Sequence, residues 1–203
     1  MQKIIGITGS IGSGKTAAAH IMQDLGAYII NADIVARLAL LPTSPIIGDI
    51  RENFGDDVMI HGCVVDRRRL AKKVFSDKKA LETLNSITHP YIKSEMMRKA
   101  EIAFRIYKKE IVVFDAPLLI EAGLCEGLSD VWLITAPLEE RIRRIIMRDR
   151  ATREEALARI NARVSDDELK KSATVIINND GSYDELRKKI TETYNERYKS
   201  NEV

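Results

Sequence analysis

Short apolar runs rich in β-branched residues alternate with stretches of helical periodicity along this chain. Residues 3–8 (KIIGIT), 27–30 (AYII), 110–116 (EIVVFDA), 130–135 (DVWLIT) and 174–177 (TVII) each read as a buried strand followed by a turn signal. The segments between them read as helices. One covers residues 14–25. Another covers Arg67–Phe75 behind Asp66 as its cap. A third covers 90–107, opened by Pro90, whose missing N–H costs nothing at a first helical position. Thr152 with Glu155, Ser165 with Glu168, and Ser182 with Glu185 have the capping-box spacing; the last opens a helix running to about Tyr198. Strand–helix alternation predicts an α/β fold with a parallel five-stranded sheet flanked by helices. Ligands of such sheets bind beyond the carboxyl ends of the strands. The stretch of about 34–109 shows several helices and no strand, and is expected to be a helical insertion over the sheet edge. No repeat or linker divides the chain, so residues 1–203 are expected to form one domain.

Composition narrows the class. At 45% hydrophobic and 31% charged residues the chain reads as soluble and globular. Lys and Arg number 32 against 30 Asp and Glu, a net charge of +2, which argues against a dedicated nucleic-acid binder. Two cysteines exclude a disulfide scaffold and a four-thiolate zinc site. No apolar run is long enough to span a membrane, and the N-terminus has no signal-peptide core. A reducing, cytoplasmic setting is expected.

The strongest chemical signal follows the first strand. Gly9-Ser10-Ile11-Gly12-Ser13-Gly14-Lys15-Thr16 fits the Walker A pattern between a strand and a helix. Glycines let the backbone fold around oxyanions with N–H groups pointing inward, and the new helix adds its positive end. Ile11, Gly12, Ser13, Gly14, Lys15 and Thr16 are therefore the expected nucleoside-triphosphate-binding loop. Lys15 brings a mobile charge to the β- and γ-phosphates, and the Thr16 hydroxyl can ligate Mg²⁺. The acceptor stays open at this point. The guanine-reading Asn-Lys-x-Asp of GTPases is absent, and large ATPase machines need more chain.

Residues at the other strand ends carry two readings each. Asp33 stands just past the second strand. It could orient an acceptor hydroxyl in line with the γ-phosphate, or cap the helix that follows. Asp115 after Ile111-Val112-Val113-Phe114 has the Walker B form for holding Mg²⁺, or is a turn residue before Pro117. Eight arginines, Arg141, Arg143, Arg144, Arg148, Arg150, Arg153, Arg159 and Arg163, are interleaved with acids. They read as a salt-bridged helix pair, or as a lid that brings one or two guanidinium groups to the transferred phosphoryl. His89 reads as a capping or packed residue, and Trp132 as core.

Together these motifs resemble the dephospho-CoA kinase family from about residue 3 to 198. The resemblance is carried by Ile7-Thr8 with the Walker A loop, Ala32-Asp33-Ile34-Val35-Ala36-Arg37, Asp66-Arg67 with Leu70 and Phe75, and Thr88-His89-Pro90-Tyr91-Ile92. It continues through Asp115-Ala116-Pro117-Leu118-Leu119-Ile120-Glu121, Arg144-x-x-x-Arg148-Asp149, Arg159, and Val175 to Ser182. The resemblance implies a P-loop kinase core with a helical substrate-binding insertion and an Arg-rich lid of about 141–170. It implies ATP with Mg²⁺ as cofactor, and transfer of the γ-phosphoryl group to the ribose 3′-hydroxyl of dephospho-CoA. By it Asp33, Lys15 and Arg148 are catalytic. Arg144, Arg148, Arg159 and Asn179 join the loop at ATP. Asp33, Arg37, Thr88, His89, Pro90, Leu118 and Glu121 meet the CoA-type substrate, and Thr16 and Asp115 the metal. The expected partners are ATP and dephospho-CoA, without nucleic acid or membrane, for a monomer or weak oligomer.

Three positions depart from the family pattern. Asn31 stands where Asp is usual, Arg163 where Gln is frequent, and Ser10 where Gly is common. None of them alters Lys15, Thr16 or Asp33. Two rival functions remain at this stage: a kinase of another small molecule, with Arg67, Arg68 and Arg69 around an acceptor phosphate, and a nucleotide-dependent regulatory protein with a degraded site.

Overall fold

The computed structural model describes residues 2–199 and divides the chain into two compact units: Met1–Ile30 with Ile102–Val203, and Asn31–Glu101. The first unit is built on strands β1 (Lys3–Gly9), β5 (Ile111–Asp115), β6 (Asp130–Thr135) and β7 (Val175–Asn178). With β2 (Tyr28–Asn31) they form a five-stranded sheet in the order β2-β5-β1-β6-β7. β1 pairs in parallel with β5 and β6, and β6 with β7. The expected strands are thus all present, shifted at most by a residue or two at their ends.

β5 and β6 are buried along their whole length, which is why they read as continuous apolar runs. One sheet face packs Ile5, Ile7, Val113, Trp132 and Ile134 against Ala18, Ile21 and Met22 of α1 (Lys15–Asp24). The same cluster takes Leu186, Ile190 and Tyr194 of α9 (Tyr183–Tyr198). α9 opens with the full Ser182–Glu185 capping box. Its far end is fixed by a polar chain. Fully buried Trp132 donates Nε1–H to the Tyr198 hydroxyl at 3.0 Å, and Tyr198 donates to Asp130 at 2.7 Å. Arg197 and Thr174 also donate to Asp130. Between β6 and β7 lie α6 (Leu138–Asp149), α7 (Arg153–Asn161) and α8 (Asp166–Ser172). Ile142, Ile145, Ala156 and Ile160 form their own cluster, with Ile11 packed against it.

The second unit comprises α2 (Ala32–Leu38), α3 (Ile47–Phe54), α4 (Arg67–Phe75) and most of α5 (Lys78–Arg105). Its core gathers Ile50, Phe54, Val58, Leu70 and Val74, with Leu81, Leu84, Ile87, Tyr91 and Ile92 of α5 packed against it. Two expectations are corrected here. Pro90 does not open a helix; it lies inside the 28-residue α5. It costs one backbone rung, but the apolar stripe from Leu81 to Ile92 runs past it and packs on both sides of the break. The insertion is also not purely helical. β3 (Met59–Ile60) and β4 (Val64–Val65) form a small antiparallel ribbon. His61 and Gly62 both have positive φ at its turn, and Cys63 N–H donates to Ile60 at 3.3 Å, the mirror-image geometry that suits hairpins. Strands of two residues are too short to leave a period. No helix among the described residues is long and apolar enough to cross a membrane.

Candidate active site

The Walker A segment forms the turn between β1 and α1, closed by Ser13 N–H donating to Ser10 at 3.0 Å. Gly12 and Gly14 have φ of 80° and 94°. A Cβ on Gly12 would lie 2.8 Å from the Arg141 carbonyl oxygen, and one on Gly14 would run into the Asn179 amide. Only glycine meets both the torsion and the space. No side chain caps α1, so its first amides and dipole remain for an anion.

The loop carbonyls are drawn to the opposite side. Arg141 Nε donates to Ile11 O at 3.0 Å. Arg144 Nη1 donates to Gly12 O at 3.4 Å and Ser13 O at 3.3 Å, and its Nη2 to Asn179 O at 3.2 Å. Buried Asn179 donates Nδ2–H to Ser13 O at 2.8 Å. With its carbonyls held from outside, the loop is shaped to turn N–H groups inward, the form of an anion nest. Arg144 and Asn179, expected at ATP, thus both brace the loop that would hold it.

Lys15 is ion-paired with Asp115, both largely buried. Asp115 ends β5, the neighbour of β1, so the Walker A lysine and the Asp115 carboxylate meet at the carboxyl ends of adjacent strands. Exposed Thr16 lies in the first turn of α1. A hydroxyl and a carboxylate are the hard oxygen donors that suit Mg²⁺, and no cluster of three or more His, Cys, Asp or Glu ligands occurs among the described residues. That sparse set fits a cation held mostly by substrate phosphates and water.

The loop after β5 is tied down at Pro117, whose carbonyl accepts from Thr8 Oγ1 at 3.3 Å and Arg163 Nη2 at 2.8 Å. Arg163 also lies 3.7 Å from Glu121, and Leu118 is exposed. The arginines between 141 and 163 sort by partner. Arg143 pairs with Glu140 and Arg153 with Glu139 on the surface. Arg148 and Arg159 converge on one carboxylate, Asp149, at 2.7 Å each. The Arg148 hydrogen bonds, with the charge of Arg159, hold the Asp149 carboxyl below the usual carboxylate range. Both arginines stay half-exposed, gathered at the C-terminal end of α6.

Sequence reasoning named Arg141 only as one of eight similar arginines, and it missed Asp166. Arg141 is nearly buried, and Asp166 accepts from both Arg141 and Ser10. The only signal for Arg141 is its place beside the buried Ile142 and Ile145; nothing in the sequence singles out Asp166.

In the second unit, Asn31 caps α2, accepting from Ile34 N–H at 3.0 Å. Asp33 is therefore not the cap. Its carboxylate stands exposed in the first turn of α2, with Arg37 exposed one turn on. Thr88, His89 and Pro90 occupy mid-α5. Thr88 Oγ1 donates to Leu84 O at 2.8 Å, and burial pushes the His89 imidazole below its ordinary value.

Comparison with known proteins agrees across the whole chain. Residues 3–185 match the dephospho-CoA kinase family model. The dephospho-CoA kinase of Carboxydothermus hydrogenoformans is 38% identical over 187 residues, 92% of this chain and 90% of the relative. That of Listeria monocytogenes is 36% identical over 201 residues, covering 99% and 100%. The solved dephospho-CoA kinase from Campylobacter jejuni superposes with a TM-score of 0.72 at 30% identity, covering 99% of this chain and 100% of that one. With a Walker A loop whose lysine meets a carboxylate at the adjacent strand end, and matches of this length, the chain belongs to the dephospho-CoA kinase family.

Proposed function

We propose that this ATP-dependent kinase transfers the γ-phosphoryl group of ATP to the ribose 3′-hydroxyl of dephospho-CoA, giving coenzyme A and ADP. The observation that carries the reading is the meeting of Lys15 and Asp115 beside the uncapped start of α1. The loop amides and the α1 dipole bind the phosphate oxygens. Lys15 moves from Asp115 to the β- and γ-phosphates. Thr16 and Asp115 would hold Mg²⁺, which when bound neutralises charge on the β- and γ-oxygens.

Asp33 accepts the hydrogen bond of the acceptor hydroxyl and orients its oxygen. That oxygen forms the new bond to the γ-phosphorus as the bond to the ADP oxygen breaks, and the hydroxyl proton passes to the carboxylate. A loose phosphoryl-transfer transition state asks for positioning and charge neutralisation more than for a strong base. Arg148 and Arg159, released from Asp149, bring guanidinium groups to the transferred phosphoryl and help exclude water. Arg37, Thr88, His89, Pro90, Leu118 and Glu121 are the residues assigned to the acceptor on the family resemblance. The two free thiols, Cys63 and Cys125, suit a cytoplasmic location.

The test is ADP release coupled to a reporter, with dephospho-CoA beside nucleoside monophosphates, sugars and a no-acceptor control, with and without Mg²⁺. ADP release that requires dephospho-CoA and Mg²⁺, with coenzyme A formed, is expected. Turnover of a different acceptor in preference would overturn the substrate assignment.

A further inference from the structure

The outer wall of the Walker A loop rests on a three-residue tie. Asp166, the first residue of α8, accepts a hydrogen bond from the Ser10 hydroxyl through one carboxylate oxygen. Through the other it accepts from Arg141 Nη1 at 3.2 Å. Arg141 then donates Nε–H to Ile11 O at 3.0 Å, and its own backbone lies against Gly12. Ser10 and Arg141 are nearly buried, and the Asp166 side chain is 24% exposed. A single carboxylate thus fixes two consecutive residues of the phosphate loop, one directly and one through a guanidinium group.

We propose that Asp166 is a positioning residue for phosphoryl transfer. Through Ser10 and Arg141 it sets the curvature of the phosphate loop, and it makes that curvature depend on where α8 sits. This goes beyond the lid arginines, since Asp166 acts from behind the loop and touches no phosphate. The chemistry is that of a charged, partly dehydrated pair. Hydrogen bonds to ionised partners are stronger and more directional than neutral ones, and a displaced loop amide weakens its grip on an oxyanion. The proposal rests on the reading that ATP sits on this loop.

The experiment compares Ser10→Gly, Asp166→Asn, Asp166→Ala and the double variant Ser10→Gly/Asp166→Ala, with Lys15→Ala as reference. For each, kcat, KM for ATP, KM for dephospho-CoA and the thermal midpoint are measured. Asp166→Ala is expected to raise KM for ATP about 3- to 30-fold, the range of coupling between residues sharing one network. KM for dephospho-CoA should not change. Asp166→Asn, which keeps an acceptor for Ser10, should fall between wild type and Asp166→Ala. Adding Ser10→Gly to Asp166→Ala should change little further, because both remove the same tie.

A fall in thermal midpoint with KM for ATP unchanged would make Asp166 a merely structural residue and overturn the proposal. Fully additive effects would overturn it as well. Should Asp166→Ala not fold, Ser10→Gly carries the test alone and must raise KM for ATP. If Lys15→Ala retains activity, it is the reading of the loop as the ATP site that fails, and not the tie.

Discussion

Asp33→Asn separates chemistry from folding because Asn31, and not Asp33, closes the start of α2. The substitution keeps the shape of the side chain and removes its charge. Its cost in stability is limited to the lost attraction between a first-turn carboxylate and the helix dipole, about 0.3–1 kcal/mol at an exposed site. Its cost in catalysis is that of losing a positioned proton acceptor, at least about 100-fold in kcat, or about 2.7 kcal/mol. KM for ATP should be unchanged. Asn31→Ala is the matching control. It removes the hydrogen bond to Ile34 N–H and should cost about 1 kcal/mol of stability. Coupled ADP release gives the first quantity and thermal unfolding the second. Wild-type turnover by Asp33→Asn would refute the assignment of Asp33 to the acceptor hydroxyl.

Further outcomes follow from the anchor of α9. Tyr198→Phe leaves the fully buried Trp132 N–H without its acceptor and removes one donor to Asp130. A loss of about 2–4 kcal/mol is expected, seen as a thermal midpoint lowered by about 5–10 °C with kcat intact; an unchanged midpoint would exclude this role. For Asp130, burial alone would raise the carboxyl, but hydrogen bonds from Arg197, Tyr198 and Thr174 outweigh it and hold the group low. A carboxyl lowered by folding contributes stability above its unfolded value that is lost as pH falls through the folded one, here below about pH 4. Asp130→Asn should therefore flatten the acid limb of the stability profile, and an unaltered limb would contradict it.

The local signals in the sequence were those with a short-range physical cause. Buried parallel strands must be apolar along their length, so each left a run that could be read, and β6 was placed to the residue. The phosphate loop was legible because its glycines answer to torsion and close approach. Ser182 and Thr152 announced their helices because a capping box is complete within four residues. Pro90 misled for the same reason: its local preference is for a helix start, and packing along α5 overrode it.

What only the tertiary structure decided is which partners distant residues find. Eight arginines between positions 141 and 163 look alike in sequence. Folding makes Arg143 and Arg153 surface pairs, gathers Arg148 and Arg159 on Asp149, and sets Arg141 and Arg144 against the carbonyls of the phosphate loop. That Asn31, and not Asp33, caps α2 is likewise seen only in the structure. A guanidinium group or a carboxylate carries the same donors or acceptors wherever it stands. Its role is set by burial and by the groups within hydrogen-bond reach, and those are brought together only when β1, α6 and α8 pack.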